Sequence, residues 1–313
     1  MNAGQTKKTS KSARKPLTTR LNHYFQYRSD PERVMFERLR RTLSLPTILQ
    51  RRAAARSIAP EATFTLERAT GFRLFPPDTF PEAAGIVGMA RGLDQNVDLD
   101  RRGLSKKARA GVMVPLMDSG SLTLDSPFMQ LALRPDVIAA VSSYLGIVPL
   151  LTHVNLHYSA PAASEPRLSQ LFHCDGEATA QVKLFVLCTQ VTPASGPLTV
   201  LDAATSQEIR RRVGYHFGDR LRDTDKRVVT LLGPGNHHAV VGDPGTTCFV
   251  DTARCFHFGS RVDQDAGARL VAMIQYLPPA SFHLPRDHRQ GAPFRHLATP
   301  QLTHTQRLVL GAI

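Results

Sequence analysis

The stretch Gln170-Leu-Phe-His173-Cys-Asp175-Gly-Glu177 sets an imidazole and a carboxylate two positions apart. On a strand, residues two apart project to the same side, so His173 and Asp175 present half of a metal site from one face. A third donor of the same kind, His257, lies in Phe249-Val-Asp-Thr-Ala-Arg-Cys-Phe-His257-Phe-Gly-Ser260, just after an apolar run. Two histidines and one carboxylate on one face of an octahedral ion leave three positions open. That arrangement suits non-haem Fe(II) chemistry, in which a chelating cosubstrate and O2 bind together. Twelve residues beyond His257, Arg269 heads the run Arg269-Leu-Val-Ala-Met-Ile-Gln-Tyr276. Its planar guanidinium is suited to a bidentate pair with the distal carboxylate of 2-oxoglutarate. Lys183 sits among Val182, Leu184, Phe185 and Val186, where an ammonium without a partner is costly. It is expected to project toward the same cavity and meet a cosubstrate carboxylate or an acidic substrate, the rival being an internal partner such as Asp251 or Glu177. Gln170 and Asn155 are weaker candidates for the same surroundings.

Other donors compete for these roles. His237 and His238 lie upstream of His257 but follow a Gly-Pro-Gly turn, which favours an exposed loop. A Cys/His zinc site is a rival reading, since Cys255 shares a face with His257. However, Cys188 and Cys248 occupy apolar strand positions, Cys174 faces away from its neighbours, and no closed set of four ligands emerges.

Such a constellation needs a rigid frame. From about residue 148 the apolar pattern has period two, with strand-like runs over 151–157, 168–175, 181–190, 227–232, 246–251 and 269–277, separated by Gly/Pro turns. Many short strands without a βαβ rhythm predict an antiparallel sandwich or barrel with helices packed outside it. Upstream, the signals over 60–146 are helical, notably 78–93 and 135–145, the latter opening on Pro135 and closing at Gly146. A further helix is expected from Pro31, with Asp30 as its N-cap, Val34, Met35, Phe36, Leu39 and Leu43 at helical spacing, and Arg33, Arg40 and Arg41 on a solvated face. The expected organisation is a disordered basic tail over 1–30, a helical region over 31–146, a β core over 147–282 and a C-terminal extension over 283–313.

On these residues the chain resembles the phytanoyl-CoA dioxygenase-like family of Fe(II)/2-oxoglutarate-dependent oxygenases. The likeness runs from about Phe128 to Pro279. It is carried by the helix ending in Tyr-Leu-Gly146, the motif Phe172-His173-Cys-Asp175, the next strand with Lys183, Gly196-Pro197-Leu198, and the segment 245–260 with His257 followed by Arg269. The resemblance implies a mainly β fold with flanking helices and a double-stranded β-helix, or jelly-roll, core of cupin-like type. It also implies iron held by His173, Asp175 and His257, the cosubstrate's distal carboxylate held by Arg269, 2-oxoglutarate and O2 as cosubstrates, and succinate and CO2 as products. Asp175 is retained where related halogenases carry a small residue, which favours hydroxylation, or another oxidation such as desaturation, over halogenation. The chain departs from the family at Leu201-Asp202-Ala203-Ala204-Thr205-Ser206, where a Pro-Gly-Ser-His turn is usual near the substrate entrance.

Composition bounds the rest. The 313 residues are 42% hydrophobic, enough for a full core, and no apolar stretch reaches the roughly 20 residues of a membrane span. Four cysteines without a Cys-x-x-Cys pair, and no secretory signal at the start, lead to the expectation of a reduced, cytoplasmic protein. The net charge is +13, of which residues 1–56 carry +11. That segment suits docking to nucleic acid, acidic lipid or an acidic partner, although a solvated tail is the simpler reading. Arg210, Arg211, Arg212, Arg220 and Arg222 are expected on a solvated helix face. The expected activity is oxidation of a small molecule. The alternatives are a catalytically silent jelly-roll binding module and a macromolecule-directed oxygenase recruited by the basic N-terminus.

Overall fold

The computed structural model describes residues 17–94, 113–161, 165–218, 221–233, 235–285 and 287–313. Residues 1–16 of the expected tail, Arg220 and Pro234 of the Gly-Pro-Gly turn lie outside them. Nine strands form two antiparallel sheets among the described residues: β1 (Phe72–Phe75), β2 (Val114–Pro115), β3 (Leu150–Ser159), β4 (Val182–Leu187), β5 (Leu198–Val200), β6 (His238–Val240), β7 (Thr247–Val250), β8 (His257–Phe258) and β9 (Arg269–Leu277). The larger sheet has the order β1-β7-β4-β9-β3-β2 and the smaller β6-β5-β8. A larger and a smaller antiparallel sheet with helices outside make the jelly-roll core.

Strict alternation along the strands separates two cores. In β4, Val182, Leu184 and Val186, and in β9, Leu270, Ala272, Ile274 and Tyr276, point outward into the cluster shared with the helices. That outer layer is built from α3 (Leu45–Ile58), α4 (Pro81–Asp94), α5 (Pro127–Ala132) and α6 (Pro135–Leu145), which bury Ile48, Ile86, Phe128 and Ile138. The intervening positions, Lys183, Phe185 and Leu187 in β4 and Arg269, Val271 and Met273 in β9, face inward and line one cavity. The register pairs Phe185 with Met273 and Leu187 with Val271, so one inward row continues across both strands. A one-residue slip would send every one of these side chains to the opposite face.

Several segments differ from the sequence reading. Residues 222–232 are a helix, α8 (Arg222–Leu232), rather than a strand at 227–232. Thr224, Val228 and Leu232 are its buried positions at spacing four, and Asp223 and Asp225 occupy its first turn, so the helical pattern begins upstream of the apolar run that suggested a strand. Residues 203–213 also form a helix, α7 (Ala203–Val213), and both helices pack on Phe172 and Phe256 in a second cluster. The largely helical 60–146 region contributes β1 and β2 to the larger sheet. Residues 168–175 do not form a regular strand. A single 3-10 turn leads into one isolated bridge at His173.

The N-terminal segment is the other correction. Residues 17–26, expected within a disordered tail, form α1 (Leu17–Gln26), where Phe25 stacks on Phe36 at 4.2 Å and Asn22 donates to Leu284 O. The next helix, α2 (Asp30–Leu43), takes Ser29 rather than Asp30 as its N-cap, with Ser29 N donating to the Glu32 carboxylate. Arg33, expected in water, is fully buried. Its guanidinium lies 3.5 Å over the Phe217 ring and donates to Gln26 O, Gly176 O and Ala178 O, while Glu37 accepts from Thr179 N. Thus α2 clamps residues 176–179, directly after Asp175.

Candidate functional site

His173 and His257 are held together by the backbone. Each donates its N–H to the other's carbonyl at 3.0 Å, and Asp175 N donates to Thr252 O at 2.8 Å. This bridge, between segments remote in sequence, sets both imidazoles and the carboxylate at one end of the sandwich. His173 Nδ1 lies 2.8 Å from Leu171 O and His257 Nδ1 3.0 Å from Cys255 O. A carbonyl only accepts, so Nδ1 is the donor in each ring, which leaves each Nε2 facing the carboxylate. The Nε2 atoms stand 3.7 Å from Asp175 Oδ1 and 3.8 Å from Oδ2 respectively. All three side chains are buried, and their donor atoms fall within 4.8 Å of one another.

The carboxylate is firmly placed. Lys183 Nζ donates to Asp175 Oδ2 at 2.7 Å, and Gln181 Nε2 donates to the same oxygen at 3.2 Å while also reaching Thr252 Oγ1 at 2.8 Å. Burial pushes the Asp175 carboxyl up, but the Lys183 ammonium, then His257 and His173, more than reverse this and hold it well below the usual carboxylate range. Lys183 therefore enters the cavity as expected, with Asp175 as its ion-pair partner in place of Asp251 or Glu177. Asp251 is engaged elsewhere, accepting from Tyr144 Oη at 2.8 Å and from the N–H groups of Gln181 and Ala253.

Arg269 shares this cavity of about 240 Å³ and is 3% exposed. Its guanidinium donates to Gly196 O and, at 2.9 Å, to Ser260 Oγ, while Nε has no hydrogen-bond partner. No acid pairs with it among the described residues, and burial alone pushes it down to about 10. Such a cation, fully buried without an anion, is a site for one. Gly196 makes the arrangement possible. Its φ is +63°, and a Cβ there would stand 2.6 Å from the backbone of Arg261.

Two weaker candidates lie outside the cavity lining. Gln170 Nε2 donates to Ser260 O at 2.7 Å, so Gln170 supports the residue that holds Arg269. Asn155 shares the inward face of β3 but is used up locally, accepting from Met117 N and donating to Met117 O. Its role is to fasten the segment after β2. His238 is exposed, as expected, but it opens strand β6 beside Val200 rather than lying in a loop. All four cysteines are buried and free, with the Cys255 thiol donating to Thr70 O, away from the triad. Arg210, expected on a solvated face, is buried and paired with Asp30.

Two residues at the site escaped the sequence reading. His157 lines the cavity, and its Nδ1 is buried without a partner. Burial pushes it down to about 3, with His153, Lys183 and Arg269 adding to the effect, so it is neutral. The alternation that selects Asn155 equally selects His157, and that signal was available. Gln181 was not legible, because its value lies in reaching Asp175 and Thr252 at once. The remaining lining is mostly apolar, including Phe185, Leu187, Leu198, Val240, Val271 and Met273.

The donor set fits a divalent ion: two imidazole nitrogens and a carboxylate on one side, with the cavity on the other. The Arg269 guanidinium fits the far carboxylate of a dicarboxylic 2-oxo acid. No protein-family model matches the chain, and no curated protein matches it. Among solved structures it is similar to EctD from S. alaskensis with 2-oxoglutarate and 5-hydroxyectoine, at 17% identity over 68% of this chain and 73% of that chain, with a TM-score of 0.46. It is also similar to HygX from Streptomyces hygroscopicus with nickel and 2-oxoglutarate, at 16% identity over 69% and 88%, with a TM-score of 0.42. A third is the non-heme alpha ketoglutarate dependent epimerase SnoN from nogalamycin biosynthesis, at 18% identity over 72% and 84%, with a TM-score of 0.41. At identities this low, the chemistry has to be read from this chain's own residues.

Proposed function

We propose that this chain is an Fe(II)- and 2-oxoglutarate-dependent oxygenase that hydroxylates a small-molecule substrate. The observation that carries this reading is the placement, in one cavity, of a two-histidine, one-carboxylate face and a buried arginine without an acidic partner among the described residues. When bound, Fe(II) with 2-oxoglutarate and O2 supplies oxidation of an unactivated C–H bond, with succinate and CO2 released.

The chain's residues supply position and environment. His173, Asp175 and His257 would hold the ion through Nε2 and carboxylate oxygens. Arg269 would pair with the distal carboxylate and so fix which end of the cosubstrate meets the ion. The apolar walls from Phe185, Leu187, Val271 and Met273 keep water from the reacting carbon, and neutral His157 offers a hydrogen-bonding group without a competing charge. The cavity lies below the roughly 300–1,000 Å³ that holds a drug-sized ligand. This supports a compact reacting moiety beside the cosubstrate.

Succinate formation dependent on added Fe(II) and 2-oxoglutarate tests the reading. Turnover is expected from the intact chain, with loss in His173→Ala and Asp175→Ala. Full activity in both variants would sink the iron assignment. A screen of metabolite extracts for consumption of 2-oxoglutarate coupled to a gain of one oxygen in a second compound identifies the substrate.

A further inference from the structure

Ten of the seventeen exposed large apolar side chains among the described residues fall within residues 17–49, on α1, the turn after it, α2 and α3. They recur at helical spacing: Leu17 and Leu21 in α1, Met35 and Leu39 in α2, Leu45 and Leu49 in α3. Leu17 is 67% exposed and Met35 61%, while the neighbouring positions Asn22, Phe36 and Ile48 are buried. Between α1 and α2 a shallow apolar groove of about 130 Å³ is lined by Leu21, Phe36, Leu39, Pro279 and Ala280. This density of exposed leucine is unusual for a face without a ligand.

Within residues 1–56 the charge left without an acid has one sign. The three acids of residues 1–56 are all engaged: Asp30 with Arg210, Glu32 with Ser29, and Glu37 with Arg41 and Thr179. Arg20, Arg38 and Arg56 remain exposed on the same three helices, and the sequence of residues 1–16 holds five basic residues and no acid. Those sixteen residues contain no Leu, Ile, Val or Phe, so they are poorly suited to cover the apolar rows themselves. A second copy placed face to face would oppose cation to cation. The partner must offer apolar depth and negative charge together.

We propose that the outer face of α1–α3 docks peripherally on an anionic lipid bilayer. Leucine and methionine rows flanked by arginine are the chemistry of an interfacial helix, with the apolar side chains entering the acyl boundary and the cations meeting headgroups. Tyr24 and Tyr27, both exposed, carry an apolar ring and a polar tip suited to that boundary. A docked acidic protein helix would need a groove long enough for several successive anchors, and this one holds one or two side chains. The inference is independent of the iron reading.

Co-sedimentation of the full chain with vesicles of phosphatidylcholine plus phosphatidylserine, against phosphatidylcholine alone, tests it. Binding to the anionic vesicles is expected to be at least about tenfold stronger and to weaken with salt. The Met35→Ser/Leu39→Ser double variant, altered only at exposed positions, is expected to keep its circular dichroism and melting temperature and to lose partitioning by about tenfold or more. Arg38→Gln is expected to lose about fivefold. Equal binding to both vesicle types, or none, overturns the proposal. So does a dimer that the double variant dissociates, which would make the face a self-interface. Binding to soluble polyglutamate that displaces the vesicles and ignores the double substitution would reduce the face to charge alone, and that too overturns it.

Discussion

Lys183 Nζ stands 2.7 Å from Asp175 Oδ2, so the protein places its own cation on the carboxylate that two imidazoles share. An ammonium and a divalent ion drawn to one carboxylate repel each other at short range. Lys183→Met is therefore expected to bind a divalent metal more tightly, by on the order of tenfold, in a competition titration against a chromophoric chelator. Equal affinity would mean that the Lys183 charge does not oppose the metal, and lower affinity that Lys183 assists loading.

Arg269 lines the same cavity as the three donors. Replacing it with Gln removes the charge that a distal carboxylate would meet. The KM for 2-oxoglutarate is expected to rise by on the order of 100-fold, with metal affinity unchanged and part of the loss recovered in Arg269→Lys. Steady-state succinate formation reads the first quantity and metal titration the second. A fall in metal affinity equal to the change in KM would point to a collapsed site instead.

Gln181 touches Asp175 Oδ2 and Thr252 Oγ1 together, and so fixes the carboxylate's rotation. Gln181→Leu is expected to lower metal affinity by about 10- to 100-fold, the usual consequence of losing a group that orients a ligand. The melting temperature of the metal-free chain serves as the folding control.

Asp251 gives a pH dependence of stability. Burial raises its carboxyl to about 6, against an ordinary value of 3.8, despite the hydrogen bond from Tyr144 and the nearby Arg254. A group that holds its proton more tightly when folded favours folding most below about pH 4. The advantage declines as pH rises through 4 to 6 and is gone above that. Asp251→Asn removes this contribution. Its stability relative to the unaltered chain is expected to grow across that window by on the order of 2–3 kcal/mol, as measured by urea unfolding at pH 4.5 and pH 7. A constant difference across the window would place the buried proton elsewhere.

Local pattern is enough to give the donor types, the strand that carries Lys183 and the strand that carries Arg269. Period-two alternation is a local property, and β3, β4, β7 and β9 appear where it predicts them. The helix at Pro135–Leu145 was equally legible, since Pro at its first turn and a left-handed Gly146 at its end are local signals. The α8 segment was not, because a short apolar run fits either period until its packing partners are known. The partners come from the fold. His173 meets His257 through one isolated bridge, Lys183 meets Asp175 across a loop, and Arg33 leaves the water face of a helix to fasten Gly176 and Ala178. Each is a contact between distant segments, fixed by sheet register and by the need to satisfy buried polar groups. A pattern along the chain records which residues are present, but the pairing of buried charges depends on which segments the core brings together.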